Sequence, residues 1–351
     1  MGIFAAPEKM AMILVLSLFL CLPLLASPAD ELQKAADADQ PARVIQLLKR
    51  GLSPTSQVKV KGSAEKTPLL IWSAGTGHLD LVKYLIARGV PVDTRDSSGT
   101  TALMLAAFRG QPDLAAYLLA HGADPNAQDH EGNSALKAAS AAGSLDVVKA
   151  LFAKGARLKG RDATETLLMA VAVGKLDLLR YVAERVPDIN ARDKDGVTAL
   201  LRAAQIDHLE MVRYLISKGA DPRISDHEGT SLLKAPATRG NLEMVRFLVD
   251  HGADLKAIDR DGDTVLIEAA ESFQLDLFRY LIDHGADVNA QNKLGWSALI
   301  LATQHHHTEV VRLLISNGAD PMLKDNQGQT ALDYAKEIDN AELIGLLQGT
   351  K

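Results

Sequence analysis

The sequence predicts an all-α solenoid of about ten helix–turn–helix units with projecting β-hairpin loops, and three observations carry that expectation. A Gly-x-(Thr/Ser)-x-Leu signature recurs along the chain, a Gly-Ala-Asp signature follows it by 21 residues, and apolar residues at helical spacing fill the interval between them. Two signatures sharing one period do not arise by accident.

The first signature stands at Gly99–Leu103, Gly132–Leu136, Gly196–Leu200, Gly229–Leu233, Gly262–Leu266, Gly295–Leu299 and Gly328–Leu332, and from Thr198 onward the step is always 33 residues. Its Thr or Ser falls where a helix N-cap is wanted, accepting a backbone N–H of the first turn. Leu200, Ala203 and Ala204, then Met211, Val212, Leu215 and Ile216, illustrate the two apolar patterns of one unit. Gly-Ala-Asp stands at Gly122, Gly219, Gly252, Gly285 and Gly318, preceded by cations or His such as His121, Lys218, His251 and His284. A left-handed glycine ends a helix there, and a positive side chain suits the negative end of its dipole. Polar runs such as Asn190–Gly196 then supply turn residues for a hairpin.

With that pattern in view, the chain resembles the ankyrin-repeat family, whose 33-residue period and Thr-Pro-Leu-His-x-Ala motif lie close to these copies. Only Thr67-Pro68-Leu69 keeps the Pro, and the motif His is replaced by Met104, Lys137, Leu201 or Ile300. Residues 30–66 are expected to form an N-terminal capping repeat and a long loop. Eight repeats follow over 67–329, starting near Thr67, Thr101, Ser134, Thr166, Thr198, Ser231, Thr264 and Ser297, and 330–351 is a C-terminal capping repeat.

Irregular places are visible too. The repeat at Thr166 lacks the glycine signatures, which predicts a local change of geometry. Pro236 falls inside a first helix and should shorten or kink it. Ser53–Lys66, with Lys59, Lys61 and Gly62, is longer than the other hairpins and reads either as a flap or as a tolerated insertion.

Residues 1–29 read as a secretory signal peptide: Lys9, a 13-residue apolar stretch from Met10 to Leu22, Pro23, then small residues with cleavage after Ala26 or Ala29. The stretch is shorter than the ~18–20 residues of a membrane span, so no further membrane association is expected, although an uncleaved anchor and a lipidated Cys21 are alternatives. Cys21 is the only cysteine, so a chain cut there has neither disulfides nor Cys metal sites. A periplasmic or secreted location follows, the periplasm being mildly favoured by the lack of an Asn-x-Ser/Thr sequon.

Net charge is -6 with signs interspersed and no basic run, which argues against nucleic acid as a partner. No nucleophile, base and orienter can be assembled, so neither an enzyme nor a cofactor is expected. The recurring Asp193, Asp226, Asp259 and Asp325 read as Asx-turn residues. His305-His306-His307 is the one cluster suggestive of metal; three consecutive residues point in different directions, so a solvated turn or a partner contact is the plainer reading. Trp72 sits in an apolar helical pattern and reads as core.

What the resemblance implies is a monomeric protein-interaction scaffold whose hairpin tips and first-helix ends line a concave face, with stress protection as a family-level association. The alternatives are a secreted effector acting on host proteins and a metal-binding protein that uses the His305-His307 cluster. On this chain the implied positions are Phe108, Arg109, His130, Glu131, Lys194, Gln205, Ile206, His227, Glu228, Arg239, Arg260, Asp261, Lys293, Leu294, Trp296, Gln304 and His305. Trp296 stands out because other copies hold Thr100, Asn133, Thr230, Asp263 and Gln329 there, and Trp is enriched at interface hot spots.

Overall fold

A computed structural model describes residues 27–60, 65–272 and 274–349. The described residues contain 20 helices that pair into successive helix–turn–helix units, from Pro28–Asp37 with Pro41–Lys49 to Ala331–Glu337 with Ala341–Gln348. The chain divides into two compact units, Met1–Glu131 and Gly132–Lys351. Within the second, each first helix packs on the first helix of the next repeat, and the core is the row of Ala and Leu side chains between them, such as Leu200, Ala203, Leu266 and Leu299. No helix among the described residues is long and apolar enough to cross a membrane.

The cap residues behave as their chemistry requires. Thr101, Ser134, Thr198, Thr264, Ser297 and Thr330 each accept the backbone N–H three residues on, at 3.2–3.4 Å. At the other ends, His121, His251 and His284 place Nδ1 2.7–2.9 Å from the carbonyl four residues back, with the ring stacked on Tyr117, Phe247 or Tyr280. One side chain thus meets a last-turn carbonyl and packs an aromatic.

Three expected repeat starts are not N-caps. Thr67 lies in a strand, and Pro68 holds the cap position of Leu69–Thr76. Thr166 lies inside a longer helix, Gly160–Ala172. With no glycine turn before it, the helix runs back to Gly160, and Thr166 is buried with its hydroxyl unpartnered. Ser231 loses its role to Pro236: a helix starting at Leu232 would set the proline ring against the Leu232 carbonyl. The helix instead spans Lys234–Thr238, which leaves Pro236 in the first turn, where its missing N–H costs nothing. Ser231 Oγ accepts only from Leu233 N, at 3.3 Å.

The described parts of the long loop form a ribbon. Strands β1 (Gln57–Lys59) and β2 (Lys66–Pro68) pair antiparallel, and Val58 is buried between helix and ribbon. Gln33 pins the ribbon by donating to the Lys59 carbonyl and accepting its N–H, both at 2.7 Å. Lys61 and Gly62 lie outside the described residues. Elsewhere the expected hairpins are barely β-structured: among the described residues β1–β2 is the only sheet, and single bridges such as Ile258↔Thr264 and Gln291↔Ser297 mark the rest.

A side-chain carboxylate closes these hairpins in place of a ladder. Oδ1 of Asp96, Asp193, Asp226, Asp259 and Asp325, and of Asn292, accepts two backbone N–H groups, two and four residues on, at 2.8–3.0 Å. The Asx-turn role read from the periodic Asp holds.

Replacing Thr198 by Ala should cost about 1 kcal/mol in chemical denaturation, as for a lost N-cap, whereas Ser231→Ala should cost only a few tenths. Equal losses would show that Ser231 caps after all.

Candidate functional site

The sequence-derived residues fall in both units, and each unit is described separately. In the first, Phe108 and Arg109 end a first helix, and Phe108 is 64% exposed. His130 and Glu131 lie at a hairpin tip, also exposed. The His130 N–H donates to the Ser98 carbonyl of the preceding hairpin at 3.0 Å. A cavity of about 800 Å³ opens in this unit beside Trp72, Lys59 and Lys66. Trp72 is buried, as its helical pattern requires.

In the second unit Lys194, Ile206, His227, Glu228, Arg239, Arg260, Asp261, Lys293, Leu294 and His305 are exposed, and Gln205, Trp296 and Gln304 are half-buried. The tips are not free of structural duty as their variability suggests. Backbone N–H groups of His227, Arg260, Lys293 and Asn326 donate to the carbonyls of Asp195, Glu228, Asp261 and Leu294, at 2.7–3.0 Å. The backbone is therefore committed and only the side chains are available. Some of these are committed too: Arg260 pairs with Glu228 at 2.6 Å, and Arg239 donates to the Gln205 carbonyl at 2.6 Å.

Four sequence-derived residues meet. Asp261, Lys293, Leu294 and Trp296 line one cavity of about 290 Å³ with Asp263, Ile267, Glu268, Glu271 and Leu301. Sequence reasoning missed Asp263, Ile267, Glu268 and Glu271, which belong to the neighbouring repeat's turn and first helix, and Leu301, which lies on the helix that follows Trp296. A signal was there in Glu268, the one acid at a place held elsewhere by Leu105, Ala138, Arg202, Ala235 and Leu301.

Glu268 has a partner across the repeat boundary. Lys234 Nζ lies 2.5 Å from Glu268 and 2.6 Å from Asp259. Burial alone would push the Lys234 ammonium down, but hydrogen bonds to both carboxylates hold it above its ordinary value. Asp259 is driven up by burial and, more strongly, down by Lys234 and the N–H groups of Asp263 and Asp261, ending below its usual range. Glu268 ends above its usual range because burial and the like charge of Asp263 outweigh Lys234 and Thr238. Lys234 holds a position that is apolar in Met104, Leu201, Ile267 and Ile300. Lys137, at the same place in its repeat, pairs with Glu165, which Arg161 also contacts.

Asp259, Asp263 and Glu268 are the one group of three possible ligands within 4.8 Å of one another among the described residues. The Lys234 ammonium occupies two of them. His305 and His306 are exposed, but His307 is not the solvated turn residue expected: it is 6% exposed and stands at the N-cap position of the helix Thr308–Ser316, with no side-chain cap bond. Burial, then the neighbouring His305 and His306, lowers its pKa. His305 and His307 rings stand 5.7 Å apart at 87°.

Trp296 is tied to the last repeat. Asp325 is 5% exposed, and its Oδ2 accepts the Tyr334 hydroxyl at 2.5 Å. Burial pushes the Asp325 carboxyl up, but Tyr334, the N–H groups of Gln329 and Gln327, and the Trp296 side chain hold it below its ordinary value. The same contact, chiefly, drives the Tyr334 phenol up to about 12. Trp296 is thus both a cavity wall and a support of the cap, so truncating it disturbs both.

The fold and this repeat-by-repeat site are those of a stacked helical-repeat protein, and comparison with family profiles agrees. The profile for ankyrin repeats in three copies matches residues 32–129, 135–226, 218–292 and 266–349, and the one for ankyrin repeats in many copies matches 109–152. The chain belongs to the ankyrin-repeat family. No curated protein matches it.

Two outcomes test the electrostatics. Lys234→Ala leaves Asp259 and Glu268 without their cation, and should cost about 2 kcal/mol in denaturant unfolding, less than a fully buried pair because Lys234 is a third exposed. For Asp325 the folded pKa lies below the unfolded one. Its contribution should be complete at neutral pH, start to fall near pH 4, roughly the unfolded value, and vanish below the folded value. Trp296 fluorescence under acid titration, with Tyr334→Phe raising the midpoint, checks this.

Proposed function

We propose that this chain is an exported, non-enzymatic binding scaffold that holds partner proteins on the hairpin tips and first-helix ends. Ankyrin repeats are typically protein-interaction modules without catalytic activity, and that much comes with the family. The observation that carries the face is the division of labour at the tips. Their backbone groups are spent on neighbouring hairpins, while side chains such as Phe108, Leu294, Lys194 and His227 stand in solvent; Leu294 has no counterpart at the other tips, whereas His227 repeats His130 and Lys194 repeats Lys293. Leu294 is 54% exposed, an apolar anchor among charged neighbours, which suits the mixed composition of a recognition surface.

Export rests on the N-terminal segment, of which residues 1–26 lie outside the described structure. Cleavage after Ala26 is the site we favour. Ser27 caps the helix Pro28–Asp37 in a reciprocal box with Asp30, accepting its N–H at 3.1 Å and donating its own to Oδ2 at 3.2 Å. A cut after Ala29 would remove this cap and the first helical residues. The proposed compartment is the periplasm.

A photo-reactive residue placed at Leu294, His305 or Arg279 in intact cells tests the face. The same partner should be captured from Leu294 and His305 and not from Arg279, an exposed second-helix residue. Equal capture from Arg279 would remove the face. N-terminal sequencing of the mature protein should begin at Ser27, and a cytoplasmic, uncut chain would end the export reading.

A further inference from the structure

We infer that the cavity beside Trp296 is a seat for an arginine side chain of the partner, presented on an extended peptide segment. This rests on the binding face proposed above and names the chemistry of one of its contacts.

The cavity combines two kinds of surface. Trp296, Leu294, Ile267 and Leu301 give it apolar and aromatic walls. Around them stand the carboxylates of Asp261, Asp263, Glu268 and Glu271, against the single cation Lys293. Glu268 is already served by Lys234, but Asp261, Asp263 and Glu271 make no ion pair among the described residues. A surplus of negative charge therefore surrounds a flat ring, in a space of about 290 Å³ that admits one long side chain.

Arginine fits that surplus better than other side chains. Its guanidinium is planar, stacks on an indole while donating from its edge, and sheds water more readily than an ammonium. Its methylene stem would cover Leu294, whose exposure in the free protein has no intramolecular explanation. An acidic side chain would meet three carboxylates that only Lys293 offsets among the lining charges, and a bulky apolar one would desolvate them.

The receptor is also prepared in advance. Trp296 is fixed through its backbone, with its N–H on Asn292 Oδ1 at 3.0 Å. Asn292 in turn donates to Asp263 at 2.8 Å, holding that carboxylate in place. Little ordering is left for binding, which favours a specific contact over a diffuse one.

The test is a titration of the full described chain with blocked Gly-Gly-Arg-Gly-Gly, followed through the indole N–H resonances of the two tryptophans. Trp296 should shift saturably while Trp72 stays in place. The citrulline peptide, which keeps the shape and loses the charge, should bind about tenfold more weakly. Asp261→Asn with Glu271→Gln, both exposed and without structural bonds through their side chains, should weaken arginine binding by a similar factor while leaving unfolding unchanged. A glutamate peptide that binds equally, a double variant that binds normally, or no saturable shift up to about 10 mM would each overturn the inference. If a partner is still captured from Leu294 when the arginine peptide leaves Trp296 unmoved, the seat is wrong and the binding face stands. Loss of capture from the whole face removes the face itself.

Discussion

The stack depends on one small interaction, a carboxylate or amide oxygen that gathers two backbone N–H groups at the start of each hairpin. Asp193, Asp226, Asp259, Asn292 and Asp325 do this in turn, and the loop each one folds presents the next tip's N–H to the previous tip's carbonyl. A short polar loop cannot hold such a shape by packing, because it has no apolar side chains to bury. The acceptor does for the loop what apolar burial does for the helices. That explains why the second oxygen of the same residues is free to be put to other uses. It binds Lys234 from Asp259 and Tyr334 from Asp325.

Most of this architecture was legible because it is periodic. Caps, terminating glycines and hairpin acceptors recur at fixed offsets, and six of the expected N-cap residues make the bond their chemistry calls for. The one signature residue that does not cap, Ser231, and the irregular repeat starts at Thr166 and Thr67 have local causes that periodicity hides. Pro236 acts on a carbonyl four residues earlier, and Thr166 is overruled by glycines that are missing around it. At Thr67 the flanking segment pairs as a ribbon held by Gln33, a contact 26 residues away in sequence from Lys59.

The site was legible in part for the same reason. Subtracting the repeat from itself exposes residues the fold does not demand, and this found Asp261, Lys293, Leu294 and Trp296 around a shared cavity. It passed over Glu268 and Glu271, since the other wall of the cavity comes from the adjoining first helix and its register in space is not written in one copy. Nor could it show that Trp296 supports Asp325 or that His307 is buried, because both follow from contacts between elements. Variation among copies marks where a side chain is unconstrained by the repeat, and some of that variation serves particular junctions.

Lys137 and Lys234 give such variation a further meaning. A row of interchangeable apolar junctions has no inherent order: one repeat could be lost, copied or slipped, and the rows of Leu and Ala would still mesh. A lysine that finds its acid only in the next unit makes that junction unlike the others, since deleting or duplicating a unit there strands a charge inside the stack. The chain thereby carries two punctuation marks that fix which repeat follows which, and the surface built on them keeps the same residues side by side.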